Sequence, residues 1–258
     1  MTGAAGYMAI VLAEAVVGTL AFVWCTPLWH EVKRGFFTLT TSIVLVLAIG
    51  AWLSTRAAQV AGDEAGRWSV TLALATTVAV GVTFLLMLAK QRPAGRVAGF
   101  LSVVASIATL VAMAGTARQG FAVAVFQLLA GAAFLGSITA GLLLGHWYLT
   151  DRGLSRGPID RLTTAMLVAV VVEAAAVVTS GFGGVESSAS LNPLLTAGAL
   201  APWIALGMVV ATLLIALLTR AALKGERASA VQSATGFYYL AVVTAFTAEV
   251  AVKTRFLG

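Results

Sequence analysis

Residues 121–149 read FAVAVFQLLAGAAFLGSITAGLLLGHWYL and contain no charged side chain. An α-helix needs about 20 predominantly apolar residues to cross the hydrocarbon core of a bilayer. A membrane-spanning β-strand needs only about ten residues and alternates between apolar and polar positions. The length and uniform apolarity of this stretch therefore predict a transmembrane helix.

Seven further stretches have a comparable length and apolarity. The predicted spans cover residues 5–28, 36–54, 68–89, 97–115, 121–149, 162–182, 194–218 and 231–252. The short connections between them leave little chain for a domain outside the membrane. We therefore predict one transmembrane domain over residues 1–258, an all-α, polytopic bundle of about eight helices.

The composition agrees with a surface that faces lipid. Hydrophobic residues make up 60% of the chain and charged residues 10%, whereas soluble domains carry about 25% charged residues. The formal charge of +6 comes from basic residues in short connections, where they set topology and contact lipid headgroups. We therefore predict a multi-pass protein of the cell membrane that contacts lipid and does not bind nucleic acid.

The distribution of basic residues predicts the orientation of the chain. Eleven of the 16 lysines and arginines lie in or beside the odd-numbered connections. They are Lys33, Arg34, Lys90, Arg92, Arg96, Arg152, Arg156, Arg161, Arg220, Lys224 and Arg227. Cytoplasmic connections carry the excess of basic residues, so we expect the odd connections in the cytoplasm and both termini outside.

Small residues mark the fifth span as a packing surface. Gly136, Ala140, Gly141 and Gly145 follow one another at helical spacing, and such residues let helix backbones approach closely inside a membrane. The alternative is that they reflect the general richness of this chain in glycine and alanine. The sequence shows no repeat of fixed period.

Two interruptions of regular structure are predicted. Residues 180–193 are rich in glycine and serine, with Glu186 as their one charged residue, and favour an irregular segment. Pro202, next to Trp203, predicts a kink in the seventh span, because proline removes a helical hydrogen bond. Transporters built on broken helices usually show such interruptions in paired positions, and this sequence does not.

Glu14 and Glu173 lie inside predicted spans. Glu14 is roughly 13 Å and Glu173 roughly 16 Å from the start of its predicted helix, at about 1.5 Å per residue, so both are near mid-depth. A carboxylate there costs about 2.5–3.5 kcal/mol on insertion scales and usually faces a cavity or a partner. We expect both to face the bundle interior as candidate proton-transfer residues. The alternative is a purely structural pair of protonated carboxyls.

Glu249 lies near the end of the eighth span, four residues before Lys253. This spacing suits an i,i+4 ion pair on a helix surface, so the sequence predicts an interfacial structural pair. A role for Glu249 in binding a cofactor is the alternative. Lys253 is expected to be too close to the helix end to act as a buried lysine.

His30 and His146 are the two histidines of the chain. Imidazole can ligate haem iron, and two such ligands at one level suit a b-type haem. Together with Tyr148, they could instead donate hydrogen bonds to a quinone. The tryptophans beside them, Trp29 and Trp147, favour a third interpretation as part of an interfacial aromatic belt. Two histidines with the single Cys25 are too few for a zinc site, so no metal site is predicted.

The ends of the chain resemble a known family. Residues 245–256 read AFTAEVAVKTRF and residues 14–18 read EAVVG. With eight spans and both termini outside, this layout is similar to the membrane anchors of dimethyl sulfoxide and polysulfide reductases. The resemblance implies a haem-free anchor that binds quinol near the outer face and passes electrons to an iron–sulfur subunit. Residues 55–66, however, lack the histidine that such anchors tend to carry after the second helix.

These features lead to one preferred function and two alternatives. We expect a membrane anchor subunit of a respiratory or related redox complex that interacts with the quinone pool and conducts protons. Such a subunit would not be catalytic alone and would assemble with an iron–sulfur or cytochrome subunit. A proton-coupled transporter of small molecules and a purely structural membrane subunit are the alternatives.

Overall fold

The computed structural model of the protein describes residues 1–151, 153–179, 200–225 and 229–257. Within these ranges the chain forms nine α-helices and no β-strand. The helices are α1 Gly3–Trp24, α2 Leu28–Glu31, α3 Arg34–Ala57, α4 Glu64–Leu88, α5 Arg92–Ala114, α6 Phe121–Thr150, α7 Gly157–Thr179, α8 Ala201–Leu223 and α9 Ser229–Phe256. All except the four-residue α2 are long and apolar enough to cross a membrane, which confirms the predicted fold class.

The eight spans form two four-helix bundles. In the N-terminal bundle, α1 packs on α3, α3 on α4, α4 on α5 and α5 on α1. In the C-terminal bundle, α6 packs on α7, α7 on α8, α8 on α9 and α9 on α6. The two halves therefore share one arrangement of helices, although the sequence shows no corresponding repeat.

The two bundles meet chiefly along α1 and α6. A Cβ added to Gly18 would lie 1.7 Å from the carbonyl oxygen of Ala132, and one added to Gly136 would lie 2.2 Å from Gly18 Cα. Only glycine fits at this crossing, because the two backbones touch directly. Each glycine lies fifteen residues after the first residue of its helix, so the crossing occupies equivalent positions in the two halves.

The rest of α6 confirms the packing that its small residues predict. Gly141 lies against the ring of Tyr238, and Gly145 against the side chain of Thr235, both on α9. Ala140 is completely buried. The glycine and alanine positions of α6 thus contact α1 on one side and α9 on the other.

Both ends of the described chain lie at one face, which we call the terminal face. Gly6 packs against Leu257, and the Thr2 amide donates to the Ala58 carbonyl oxygen at 3.2 Å. The odd connections meet at the opposite face, where Lys33 pairs with Asp151 at 3.0 Å. The side of the membrane on which each face lies stays a prediction.

Pro202 does not kink its helix as the sequence predicts. It lies in the first turn of α8, where the missing N–H has no helical acceptor to lose. Pro202 is therefore accommodated as the second residue of the described helix. The irregular segment predicted for residues 180–193 lies outside the described residues, as do residues 194–199 of the predicted seventh span.

Candidate functional site

Four ionisable side chains meet inside the protein: Glu14 of α1, Glu173 of α7, and Glu249 and Lys253 of α9. None has more than 1% of its surface exposed. The Lys253 ammonium lies 2.7 Å from Glu14 Oε1 and 3.0 Å from Glu249 Oε2. Glu173 faces the same buried space and interacts electrostatically with Glu249, Lys253 and Glu14. We refer to these four residues as the charge cluster.

Gly131 of α6 packs directly against the charge cluster. A Cβ at this position would lie 2.6 Å from Glu14 Oε1 and 3.0 Å from Glu249 Oε1. The two carboxylates therefore occupy the space that a larger side chain would fill. The sequence does not single out this glycine, because its spacing does not distinguish it from the other small residues of α6.

The structure confirms that Glu14 and Glu173 face the interior and corrects the prediction for Glu249 and Lys253. The predicted i,i+4 pair exists, but it is buried and shared with Glu14 instead of lying at the membrane surface. Two features bury Lys253. Helical side chains tilt toward the helix N-terminus, which carries the ammonium inward, and buried Phe256 and Leu257 cover the end of α9.

The charge cluster has more carboxyl groups than positive charges. Three ionised carboxylates and one ammonium would leave a net charge of −2, and among the described residues Lys253 is the one cation paired with these carboxylates. An uncompensated charge of that kind is costly in a medium of low dielectric constant. Charge balance therefore favours the binding of protons by two of the three carboxyl groups.

The other predicted site residues lie elsewhere. His30 and His146 are exposed, and His146 Nδ1 is 3.1 Å from the Tyr239 hydroxyl. The Tyr148 hydroxyl donates to the carbonyl oxygen of Ser155. These three residues lie near the face opposite the termini. The structure thus separates them from Glu249, with which they were predicted to bind a cofactor.

These positions do not fit a single quinone or haem site. Glu249 is enclosed in the charge cluster, and the Tyr148 hydroxyl already bonds to a backbone carbonyl. Neither imidazole points into a bundle interior, where a b-type haem would be enclosed. Among the described residues, no group of three or more His, Cys, Asp or Glu side chains has a geometry suited to a metal ion.

The fold and the charge cluster define a class: a helical membrane protein of eight spans, built from two similar bundles, with ionisable groups buried at their junction. No protein-family model matches the chain, and neither a curated protein nor a solved structure matches it. What the cluster does must therefore be inferred from its own chemistry.

Proposed function

We propose that this protein binds and releases protons at the charge cluster, as the membrane anchor subunit of a redox complex in the cell membrane. The observation that carries the proposal is the excess of buried carboxyl groups over positive charges. Ionisable groups inside membrane proteins mark substrate or ion pathways, proton relays and ligand counter-ions, and a carboxyl excess fits the relay among these. The small mass outside the membrane suits a subunit whose soluble partners supply the redox centres.

The redox part of the proposal rests on the family resemblance of the two terminal helices. Both segments that carry the resemblance contribute to the charge cluster, since Glu14 is in the first and Glu249 and Lys253 are in the last. An iron–sulfur or cytochrome subunit would be the partner, and a quinol the source of electrons and protons. The four residues predicted to bind the quinone do not form one site, so we assign no quinone contact to them.

A proton-coupled transporter is the second candidate, and the internal repeat favours it. Several transporter families consist of two similar halves, with the coupling-ion site between them near mid-membrane. The charge cluster draws Glu14 from one half and its other members from the second half. A transporter would work alone or as a homo-oligomer, whereas an anchor would purify with redox subunits.

The proton role can be tested with Glu14→Gln and Glu173→Gln in the intact assembly purified from its native membrane. Glutamine keeps the size and hydrogen bonding of the side chain but cannot exchange a proton. We expect turnover to fall by about a hundredfold or more, the usual contribution of a positioned proton donor or acceptor, while assembly is retained.

Full activity in both variants would reduce the cluster to a structural role. Failure of both variants to assemble would support the same structural interpretation, because a proton-transfer residue should be dispensable for folding. The proteins that co-purify separate the two functional candidates. Redox subunits support the anchor, and a solitary homo-oligomer with proton-dependent uptake supports the transporter.

A further inference from the structure

A buried glutamine lies between the charge cluster and the terminal face. Gln127 of α6 has 1% of its surface exposed and precedes Gly131 by one helical turn, on the same side of the helix. Its Nε2 donates to the carbonyl oxygen of Ala176 at 3.5 Å. Ala176 follows Glu173 by three residues on α7. Gln127 therefore lies one turn from the cluster along both helices, in the direction of the terminal face.

The side-chain oxygen of Gln127 links this residue to the surface. Its Oε1 accepts a hydrogen bond from Nε2 of Gln119. Gln119 lies in the connection between α5 and α6 and is partly exposed. Two amide side chains thus lead from the terminal face to within one helical turn of Glu173 and Gly131.

In the opposite direction the described polar groups are hydroxyls: Thr19 is completely buried, and Thr212 Oγ1 lies 2.7 Å from Thr244 Oγ1. A further buried polar pair that way is the Tyr238 hydroxyl and Thr163 Oγ1, 2.9 Å apart. Tyr238 precedes Glu249 by eleven residues on α9, roughly 16 Å at about 1.5 Å per residue. The interior between them includes the buried side chains of Met166, Val170, Ala241 and Ala245. At this level Ser137 donates its hydroxyl to Phe134 of its own helix.

We propose that the charge cluster exchanges protons with the terminal face along a hydrogen-bonded route that Gln127 positions. This inference rests on the proposed proton role and adds its direction. A hydronium ion at the terminal face delivers a proton along water molecules hydrogen-bonded to the Gln119 and Gln127 side chains, and the proton ends on a carboxylate oxygen of Glu173. Release to water follows the same route in reverse.

Infrared spectroscopy of the full-length protein in lipid vesicles tests this route. A protonated carboxyl group shows a carbonyl band whose shift in D2O reports the rate of proton exchange. Glu173→Gln identifies the band. Gln127→Met keeps the side-chain length but removes its hydrogen bonds, so exchange should slow by about tenfold or more, as expected for loss of one hydrogen bond in the path.

Two variants serve as controls. Tyr238→Phe removes a buried hydroxyl on the opposite side of the cluster and should leave the exchange rate unchanged. Gln127→Glu restores a polar group and should restore fast exchange, which a merely structural role for Gln127 would not explain. If Gln127→Met does not fold, Gln119→Met at the partly exposed end of the route should also slow exchange.

The outcomes distinguish the proposed proton route to the terminal face from the proton role of the cluster itself. Unchanged exchange in both Gln127→Met and Gln119→Met, or slowing in Tyr238→Phe, overturns the proposed route while the proton role survives. Absence of any protonated carboxyl band in the unmodified protein overturns the proton role and the route with it.

Discussion

The two four-helix bundles share one arrangement of helices but differ in what fills them. The N-terminal bundle surrounds a small cavity lined by alanine, valine and hydroxyl side chains from its four spans. Buried contacts between its spans join neutral hydroxyls, as in Thr76 with Thr109 at 2.9 Å and Thr83 with Ser102 at 3.0 Å. The C-terminal bundle encloses the charge cluster, and the N-terminal bundle adds to it only Glu14.

This difference shows that buried hydroxyls and buried carboxylates need different partners in a membrane protein. A threonine or serine hydroxyl can donate to a carbonyl of its own helix, as Thr109 does to Ala105 and Ser102 to Ala98, so it needs no partner from elsewhere. A carboxylate cannot donate to a carbonyl of its own helix, so when buried it must pair with a cation or bind a proton. We therefore regard the N-terminal bundle as a neutral scaffold and the junction with the C-terminal bundle as the chemical centre.

The largest expected loss of folded protein comes from a substitution at the helix crossing that joins the two bundles. Gly18→Leu should prevent them from docking, because even a Cβ there would lie 1.7 Å from the Ala132 carbonyl oxygen. We expect no folded protein after extraction in mild detergent, measured by size-exclusion chromatography. Gly207→Leu is the matched control, since a Cβ at Gly207 meets nothing within 4 Å. Normal folding of Gly18→Leu would contradict the described crossing.

Removal of the buried cation should have the next largest effect. Lys253→Met leaves Glu14 and Glu249 without their partner and should cost about 3–5 kcal/mol of unfolding free energy, as for other broken buried pairs. Unfolding in a graded series of detergent mixtures measures this loss. The triple change Lys253→Met, Glu14→Gln, Glu249→Gln should recover part of it. A single variant as stable as the parent protein would place Lys253 outside the cluster.

The corresponding change in the N-terminal bundle should be much milder. Thr76→Val removes one neutral contact to Thr109 and should cost about 0.6 kcal/mol, the average for hydrogen bonds between membrane helices. The same unfolding assay applies. A loss as large as that of Lys253→Met would show that the two bundles do not differ in the proposed way.

The smallest effect is expected at the surface of the N-terminal bundle, where Asp63 caps α4. Burial raises the pKa of Asp63, but the hydrogen bond from the Gly66 amide and the nearby Met1 amino group lower it overall. Because the folded-state pKa is depressed, the cap contributes stability above the unfolded value of about 3.9 and loses it as the pH falls through the folded value.

Asp63→Ala should therefore cost about 1 kcal/mol at neutral pH, as other N-caps do. The difference from the parent protein should vanish below the folded-state pKa. Thermal unfolding at several pH values between neutral and strongly acidic measures this trend. Asp63→Asn, which can cap without a charge, should show a weaker dependence on pH over the same range.

The sequence by itself determined the eight spans, the close packing of α6 and the burial of Glu14 and Glu173. Each of these depends on local chemistry: the length of an apolar run sets the free energy of insertion, and a carboxylate inside such a run is excluded from lipid. The arrangement of two bundles, the place of Gly131 and the burial of Lys253 were decided by tertiary structure. They depend on which helices become neighbours. Lys253 lies near the end of its helix in sequence. Only the packing of α1 and α6 against α9 gives its side chain an interior and brings the Glu14 carboxylate within reach.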